Sequence, residues 1–212
     1  LLNYYKVNEN KVSTVHLGVI QNKEKPVLIK TERKFILYVG ERSKYKNFKN
    51  LLKVYSNSKL LNENFSLICF GGGSFSQDEK NEFKSLKLSQ NNIHQISGND
   101  KMLYSYYASA ECLVIPSLYE GFGLPLLEAM SLNCPVLCSR TSSLVEIGAE
   151  AAIFFDPYSL EDLQHKIEDL ILNNDKKNKL IKYGRVNASL YTWDNCINKT
   201  LKLYKEKLNY ND

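Results

Sequence analysis

From about residue 35 onward, short apolar runs alternate with longer stretches in which apolar residues recur at helical spacing. The runs are Phe35-Ile36-Leu37-Tyr38-Val39, Ser66-Leu67-Ile68-Cys69-Phe70, Ile93-His94-Gln95-Ile96, Cys112-Leu113-Val114-Ile115, Pro135-Val136-Leu137-Cys138 and Ala152-Ile153-Phe154-Phe155. Most are apolar throughout rather than alternating, which predicts strands covered on both faces, as in a parallel sheet. Between them the spacing predicts helices over 47–60, 78–88, 101–110, 125–132 and 160–172, with a short turn at 144–147. The alternation predicts an α/β fold with a doubly wound, Rossmann-like parallel sheet. Right-handed crossovers then give three layers, and ligands belong at the carboxyl ends of the strands.

Both ends depart from this rhythm. Ahead of residue 34, 12–17 is a possible strand and 21–34 is a polar, lysine-rich connector. Beyond the last strand, 174–190 predicts a helix, and Trp193, Ile197, Leu201, Tyr204 and Leu208 recur at helical spacing. That stripe either packs onto the chain's own sheet or is left to be exposed or to pair with another copy. The expected divisions are therefore 1–33, 34–190 and 191–212.

Composition adds exclusions. Hydrophobic residues make up 43% of the chain and charged residues 24%, ordinary values for a soluble protein. No apolar run approaches the ~20 residues of a membrane span, and residues 1–6 lack the basic start and apolar stretch of a signal peptide. The net charge of +5 is spread along the chain, so nucleic-acid binding is not required. Lys176, Lys177, Lys202, Lys205 and Lys207 suit solvated helix faces, and peripheral contact with an anionic membrane fits them too. Five cysteines, an odd set with several in strand-like runs, point to reduced thiols and a cytoplasmic setting. Cys134 and Cys138 lack partners at zinc spacing, and His16, His94 and His165 have no adjacent serine or acid pattern for a nucleophilic triad.

The stretch richest in chemistry is Pro116-Ser117-Leu118-Tyr119-Glu120-Gly121-Phe122-Gly123-Leu124-Pro125-Leu126-Leu127-Glu128. It joins a strand to a helix with proline at its start. Gly121 and Gly123 let the backbone approach a ligand, and the free N–H groups of the helix start face an anion with the positive end of the dipole behind them. Glu120 lies in the turn, and Glu128, further along the helix, can accept hydrogen bonds from another part of the same ligand. A second loop, Gly40-Glu41-Arg42-Ser43-Lys44-Tyr45-Lys46-Asn47, follows the first strand. Its Arg42 can grip phosphate oxygens bidentately, and Lys46 can neutralise them as a point charge. In a third, Cys138-Ser139-Arg140-Thr141-Ser142-Ser143-Leu144-Val145-Glu146, either Thr141 and Ser142 offer hydroxyls or N–H groups to a nucleotide, or Ser142 or Ser143 caps a helix. Gly71-Gly72-Gly73-Ser74 lacks the lysine of a P-loop and the spacing of a dinucleotide fingerprint, which leaves a flexible loop near the cleft.

The Glu120 to Glu128 stretch resembles the Glu-x7-Glu signature of retaining GT-B glycosyltransferases, in particular family 4, whose pattern is close to P-S-x-x-E-G-F-G-L-P-x-x-E. The second loop resembles that family's V-G-x-R-x-x-Y-K-N variant, and the third its S-S-L-P-E turn, with Val145 in place of proline. Leu17-Gly18-Val19 is similar to its hinge turn, with leucine before the glycine. The resemblance covers nearly all of 12–208. It implies that Glu120 and the amides of Gly121, Phe122, Gly123 and Leu124 engage the donor sugar and diphosphate, that Glu128 holds the ribose hydroxyls, and that Arg42 and Lys46 clamp the diphosphate. Ser97, in Ser97-Gly98-Asn99-Asp100, falls where the family holds the base.

The implied chain is the C-terminal, donor-binding half of a hexosyltransferase, with 1–33 as the hinge and tail of an N-terminal acceptor domain that is missing. Alone it would bind donor but transfer little. The implied donor is a nucleotide sugar, with the Tyr-Lys-Asn variant inclining toward GDP-mannose. The implied acceptor is a glycan or lipid-linked glycan in polysaccharide or lipopolysaccharide assembly. No Asp-x-Asp pair occurs, so no metal clamp or other cofactor is expected. The alternatives are a non-catalytic sugar-nucleotide-binding module, which would bind donor without turnover, and a GT-B-fold epimerase or phosphorylase-like enzyme, which would need acid/base residues or a pyridoxal phosphate lysine that the sequence does not show.

Overall fold

The computed structural model describes residues 6–20 and 26–208. In chain order the elements are β1 (Lys34–Val39), α1 (Phe48–Asn57), α2 (Lys59–Asn64), β2 (Phe65–Phe70), α3 (Gln77–Ser85), β3 (Ile93–Ile96), α4 (Asp100–Ser109), β4 (Cys112–Ile115), α5 (Leu124–Ser131), β5 (Val136–Ser139), α6 (Ser142–Gly148), β6 (Ile153–Phe155), α7 (Leu160–Leu172), α8 (Asn174–Ser189) and α9 (Trp193–Leu208).

The strands form one parallel sheet in the order β3-β2-β1-β4-β5-β6. The side-chain period of two sends alternate residues of each strand to opposite layers. Ile36, Tyr38, Leu67, Cys69, Val114 and Leu137 pack with Leu51, Leu52, Phe83 and Ile167 from α1, α3 and α7. Phe35, Leu37, Ile68, Leu113 and Val136 pack with Tyr106, Tyr107, Leu126 and Ile147 from α4, α5 and α6. The chain winds outward from β1 to β3, then crosses back to β4 beside β1. The loops after β1 and β4 therefore diverge to opposite layers, which leaves a crevice at their carboxyl ends.

The strands fall within a residue of expectation, and four helical regions differ, the helix expected over 78–88 ending at Ser85 ahead of Lys87 at φ +53°. The helix expected over 47–60 breaks at Ser58, whose extended backbone (φ −83°, ψ 109°) ends α1. Its hydroxyl caps α2 by accepting from the Leu61 N–H at 3.2 Å. The turn expected at 144–147 extends into α6. The stripe from Trp193 to Leu208 does not pack onto the sheet: no residue of α9 is buried, and Tyr204 and Leu208 are 64% and 70% exposed.

The possible strand at 12–17 is absent, and that segment pairs with no strand. It docks instead against the turn before α9. The Val19 N–H donates to the Tyr191 carbonyl at 2.9 Å, and Gly18 approaches so closely that an added Cβ would lie 2.2 Å from the Trp193 nitrogen. Parts of the expected 1–33 and 191–212 divisions, namely residues 1–5, 21–25 (within the connector) and 209–212, lie outside the described residues.

Candidate functional site

The crevice between β1 and β4 brings Lys46, Ser117, Glu120, Thr141 and Ser142 together. Lys46 Nζ donates to Glu120 Oε1 at 2.8 Å, and Ser117 Oγ donates to the same oxygen at 2.7 Å. Both Lys46 and Glu120 are largely shielded from solvent. The Leu118 N–H donates to the Tyr45 carbonyl at 2.7 Å, so the β1 and β4 loops are joined by backbone as well as by charge.

The Glu120 backbone is held from the third loop. Its carbonyl accepts from Ser142 Oγ at 2.9 Å and Ser143 Oγ at 2.8 Å, and its N–H donates to Ser142 Oγ at 3.1 Å. Ser142 has φ +40°, a conformation that costs about 1–3 kcal/mol in a residue other than glycine. Its two bonds to Glu120 span the loops and hold it there. Thr141 Oγ1 donates to the Ser117 carbonyl at 3.4 Å. Thr141 stands at the N-cap of α6 but makes no side-chain cap bond, so cross-loop bonding, not capping, occupies these hydroxyls.

Gly123 precedes α5 with φ +101°, and an added Cβ would lie 2.9 Å from Leu144 Cδ2. A side chain there meets both a left-handed backbone and a filled space. The turn through Gly121, Phe122 and Gly123 leads into Leu124 and Pro125; Pro125 has no N–H and the Leu126 N–H donates to the Gly123 carbonyl at 3.0 Å, while the N–H groups of Gly121, Phe122, Gly123 and Leu124 donate to no described group. Phe122 lies near His16 and Tyr191, with ring centroids 6.1 Å away in each case, and His16 Nε2 is 2.8 Å from Glu146 Oε1. The N-terminal segment thus leans on the turn that carries Phe122.

Glu128 projects from α5 toward α4, where the Tyr107 hydroxyl donates to its Oε2 at 2.9 Å. Burial raises its pKa, the Tyr107 bond opposes that rise, and the Asp100 charge adds to it. Ser97, after β3, accepts from Gln95 Nε2 at 2.8 Å, and that amide also donates to the Gly71 carbonyl.

Arg42 directs its bonds away from the Lys46–Glu120 pair. Its Nε donates to Glu79 Oε1 at 2.5 Å, Nη1 to the Gly71 carbonyl at 3.0 Å, and Nη2 to the Gly73 carbonyl at 2.8 Å. The carbonyls of Gly72 and Ser74 stand 3.3 Å from Nη2, and the guanidinium lies 4.8 Å from the Phe75 ring centre. Gly71, Gly72 and Gly73 all have positive φ, so three successive left-handed residues turn carbonyls inward on one cation. The loop at 71–74 is therefore built around Arg42, whose side chain is only 4% exposed. Glu79 is lowered on balance: burial raises it, and the Arg42 bond and the Ser76 N–H outweigh that.

Ser117, Tyr107, Glu79 and Gln95 carry no expected role from the sequence, and Ser143 only that of a helix cap. Ser117 lies inside the quoted motif, and Ser143 beside Ser142 in the third loop. Tyr107 and Glu79 sit on helices, with nothing local to mark them. A cavity of about 690 Å³ elsewhere is lined by Arg33, Ser66, Asn92, His94 and Tyr106, and none of the residues above borders it.

A parallel doubly wound sheet with Lys46 and Glu120 paired at the switch between β1 and β4 defines a Rossmann-like domain with a crevice at the carboxyl ends of its strands. The match to glycosyl transferases group 1 spans residues 19–187, and the chain belongs to that family. It is 30% identical over 173 residues to O-antigen chain mannosyltransferase B of Escherichia coli, covering 81% of this chain and 45% of that protein. It is also 30% identical to O-antigen chain mannosyltransferase RfbU of Salmonella typhimurium, over 78% of this chain and 46% of the relative. The chain spans about half the length of the curated relatives it matches. Among solved structures, WaaG, a glycosyltransferase involved in lipopolysaccharide biosynthesis, superposes with a TM-score of 0.80 at 18% identity over 95% of this chain and 58% of WaaG. A glycosyltransferase from Rickettsia africae ESF-5 gives 0.81 at 22% identity over 98% of this chain and 60% of that one. The fold is that of the GT-B glycosyltransferases.

Proposed function

We propose that this chain is the donor-binding half of a retaining glycosyltransferase that moves a hexose, mannose in the first instance, from a nucleotide diphosphate sugar to a glycan or lipid-linked acceptor. The observation that carries the reading is the Lys46–Glu120 pair, with the unpartnered N–H groups of Gly121, Phe122, Gly123 and Leu124 directly after Glu120 in the same turn. Breaking a glycosyl–diphosphate bond places negative charge on the leaving phosphate and positive charge at the sugar carbon. Lys46 and the amides of Gly121, Phe122, Gly123 and Leu124 meet the former, with no metal ion required in this reading. Glu120, aligned by Ser117 and Lys46, orients the sugar hydroxyls, and Glu128 takes the ribose.

The base rests near Ser97 and the third loop. Arg42 acts on the donor through the loop at 71–74, since a direct grip on phosphate would require it to release Glu79 and the loop carbonyls. The mannosyltransferase relatives support the choice of sugar, and GDP-mannose is the donor proposed.

An N-terminal acceptor domain completes the enzyme. The uncovered stripe of Trp193, Ile197, Leu201, Tyr204 and Leu208 on α9 supports such a neighbour. The reaction is proposed to take place at the cytoplasmic face of a membrane carrying the acceptor, with the enzyme in peripheral contact. No helix among the described residues is long and apolar enough to cross a membrane.

Calorimetric titration of the chain with GDP, UDP, ADP and their sugar conjugates, without added metal, tests the reading. Selective GDP binding that is lost in Lys46→Ala and Glu128→Ala supports it. Nucleotide binding unaffected by either substitution refutes it.

A further inference from the structure

Tyr107 has a hydroxyl that its packing does not explain. The residue lies on α4 within the core layer shared with Leu126, Leu127 and Met130 of α5, and it is 0% exposed. A phenylalanine would bury as much apolar surface there. A buried phenolic O–H needs a partner, and this one finds Glu128 Oε2 at 2.9 Å. No other described side chain is bonded to that carboxyl. One oxygen is thus fixed by a rigid ring anchored in the core, while Oε1 stays available to a ligand.

We infer that Tyr107 is a positioning residue for donor binding: its hydroxyl holds the Glu128 carboxylate in one orientation, so that the free oxygen meets the ribose hydroxyls of the nucleotide. The inference rests on the donor-site reading above and adds a residue to it. The anchor is stiff because a fully buried tyrosine cannot change rotamer without displacing its neighbours.

The same bond opposes the effect of burial on Glu128. Burial and the Asp100 charge both push its pKa up, and the Tyr107 bond pushes it down. Tyr104, also on α4, feels the Glu128 charge. Removing the hydroxyl raises the pKa of Glu128 further, and binding that depends on the carboxylate then fades at a higher pH on the acid side.

The test compares wild type, Tyr107→Phe, Glu128→Gln and the double variant, titrated with GDP and UDP and with their 2′,3′-dideoxy forms from pH 5 to 8. In Tyr107→Phe the affinity for the ribonucleotide that binds is expected to fall about 3- to 10-fold, with the acid limb displaced to higher pH. The dideoxy form, lacking both hydroxyls, binds wild type and Tyr107→Phe equally. In the Glu128→Gln background the second substitution changes ribonucleotide affinity much less. Equal losses for ribose and dideoxy forms, or an unmoved acid limb, overturn the inference while leaving the donor site standing. Failure of wild type to bind any nucleotide overturns the donor site itself, and the ribose role of Tyr107 with it. Because the two ligands are compared on one folded variant, a lowered melting temperature does not mask the answer.

Discussion

Replacing Arg42 with alanine removes the cation around which the loop at 71–74 is built. The substitution removes a guanidinium that is 4% exposed, leaves Glu79 with only its Ser76 partner, and takes the Arg42 donors from the carbonyls of Gly71, which keeps Gln95, and of Gly72, Gly73 and Ser74. Breaking a buried ion pair from one side costs ~3–5 kcal/mol. Glu79 is 17% exposed and keeps the Ser76 N–H at 2.7 Å, so the lower end of that range, ~3 kcal/mol, applies here. For a chain of this size each kcal/mol moves the melting temperature by about 2–4 °C, which gives a fall of roughly 6–12 °C. Differential scanning fluorimetry reads it directly. Arg42→Lys restores charge without the fork and is expected to recover less than half of the loss. The pair also has a pH signature. Because Glu79 is lowered in the fold, its contribution is present above its unfolded value near pH 4.5 and is lost as pH falls through the folded value. The acid dependence of stability should therefore be shallower in Arg42→Ala than in wild type. A melting temperature within about 2 °C of wild type would show that the guanidinium is not what holds the loop.

Gly123→Ala forces a Cβ onto a backbone at φ +101° and to 2.9 Å from Leu144, and the resulting ~1–3 kcal/mol of strain should weaken nucleotide binding roughly tenfold by calorimetry; unchanged affinity would mean that the turn is not at the ligand. Lys46→Ala should cut nucleoside diphosphate affinity by about 10- to 100-fold and monophosphate affinity less, because a charge-assisted bond to the outer phosphate is lost; equal losses for both would place Lys46 elsewhere on the ligand. Glu111, raised by burial but lowered on balance by Lys177 and by Lys34 at 2.8 Å, contributes stability above about pH 4.5 that disappears as pH falls through its folded value. The stability gap between wild type and Glu111→Gln, measured by urea unfolding, should close between pH 7 and pH 3, and a constant gap would remove that reasoning.

The strands, and the helices between them, are legible in the chain because each is a local matter. A run such as Cys112-Leu113-Val114-Ile115 has no polar face to give to water, so it must lie within a covered sheet, and the alternation with helical spacing leaves few ways to wind it. The Glu120 to Glu128 stretch was legible for the same reason. Its glycines, its proline and its carboxylates act through backbone geometry within one strand-turn-helix connection. What stayed hidden is non-local. Residues 12–17 have the composition of a strand, and whether they join a sheet or dock against the turn before α9 depends on Gly18 meeting Trp193, some 175 positions away. Arg42 was legible as a cation after a strand, but its partners Glu79 and the Gly71 to Ser74 carbonyls arrive from the next crossover and take up its donors. Tyr107 carries no local mark at all, since its hydroxyl matters only because α4 and α5 pack with Glu128 facing it. Which residue types line the crevice follows from the chain alone, because propensity, periodicity and turn chemistry operate over a few neighbours. The tertiary structure alone decided which of them face one another, because a hydrogen bond between distant segments depends on how whole layers stack.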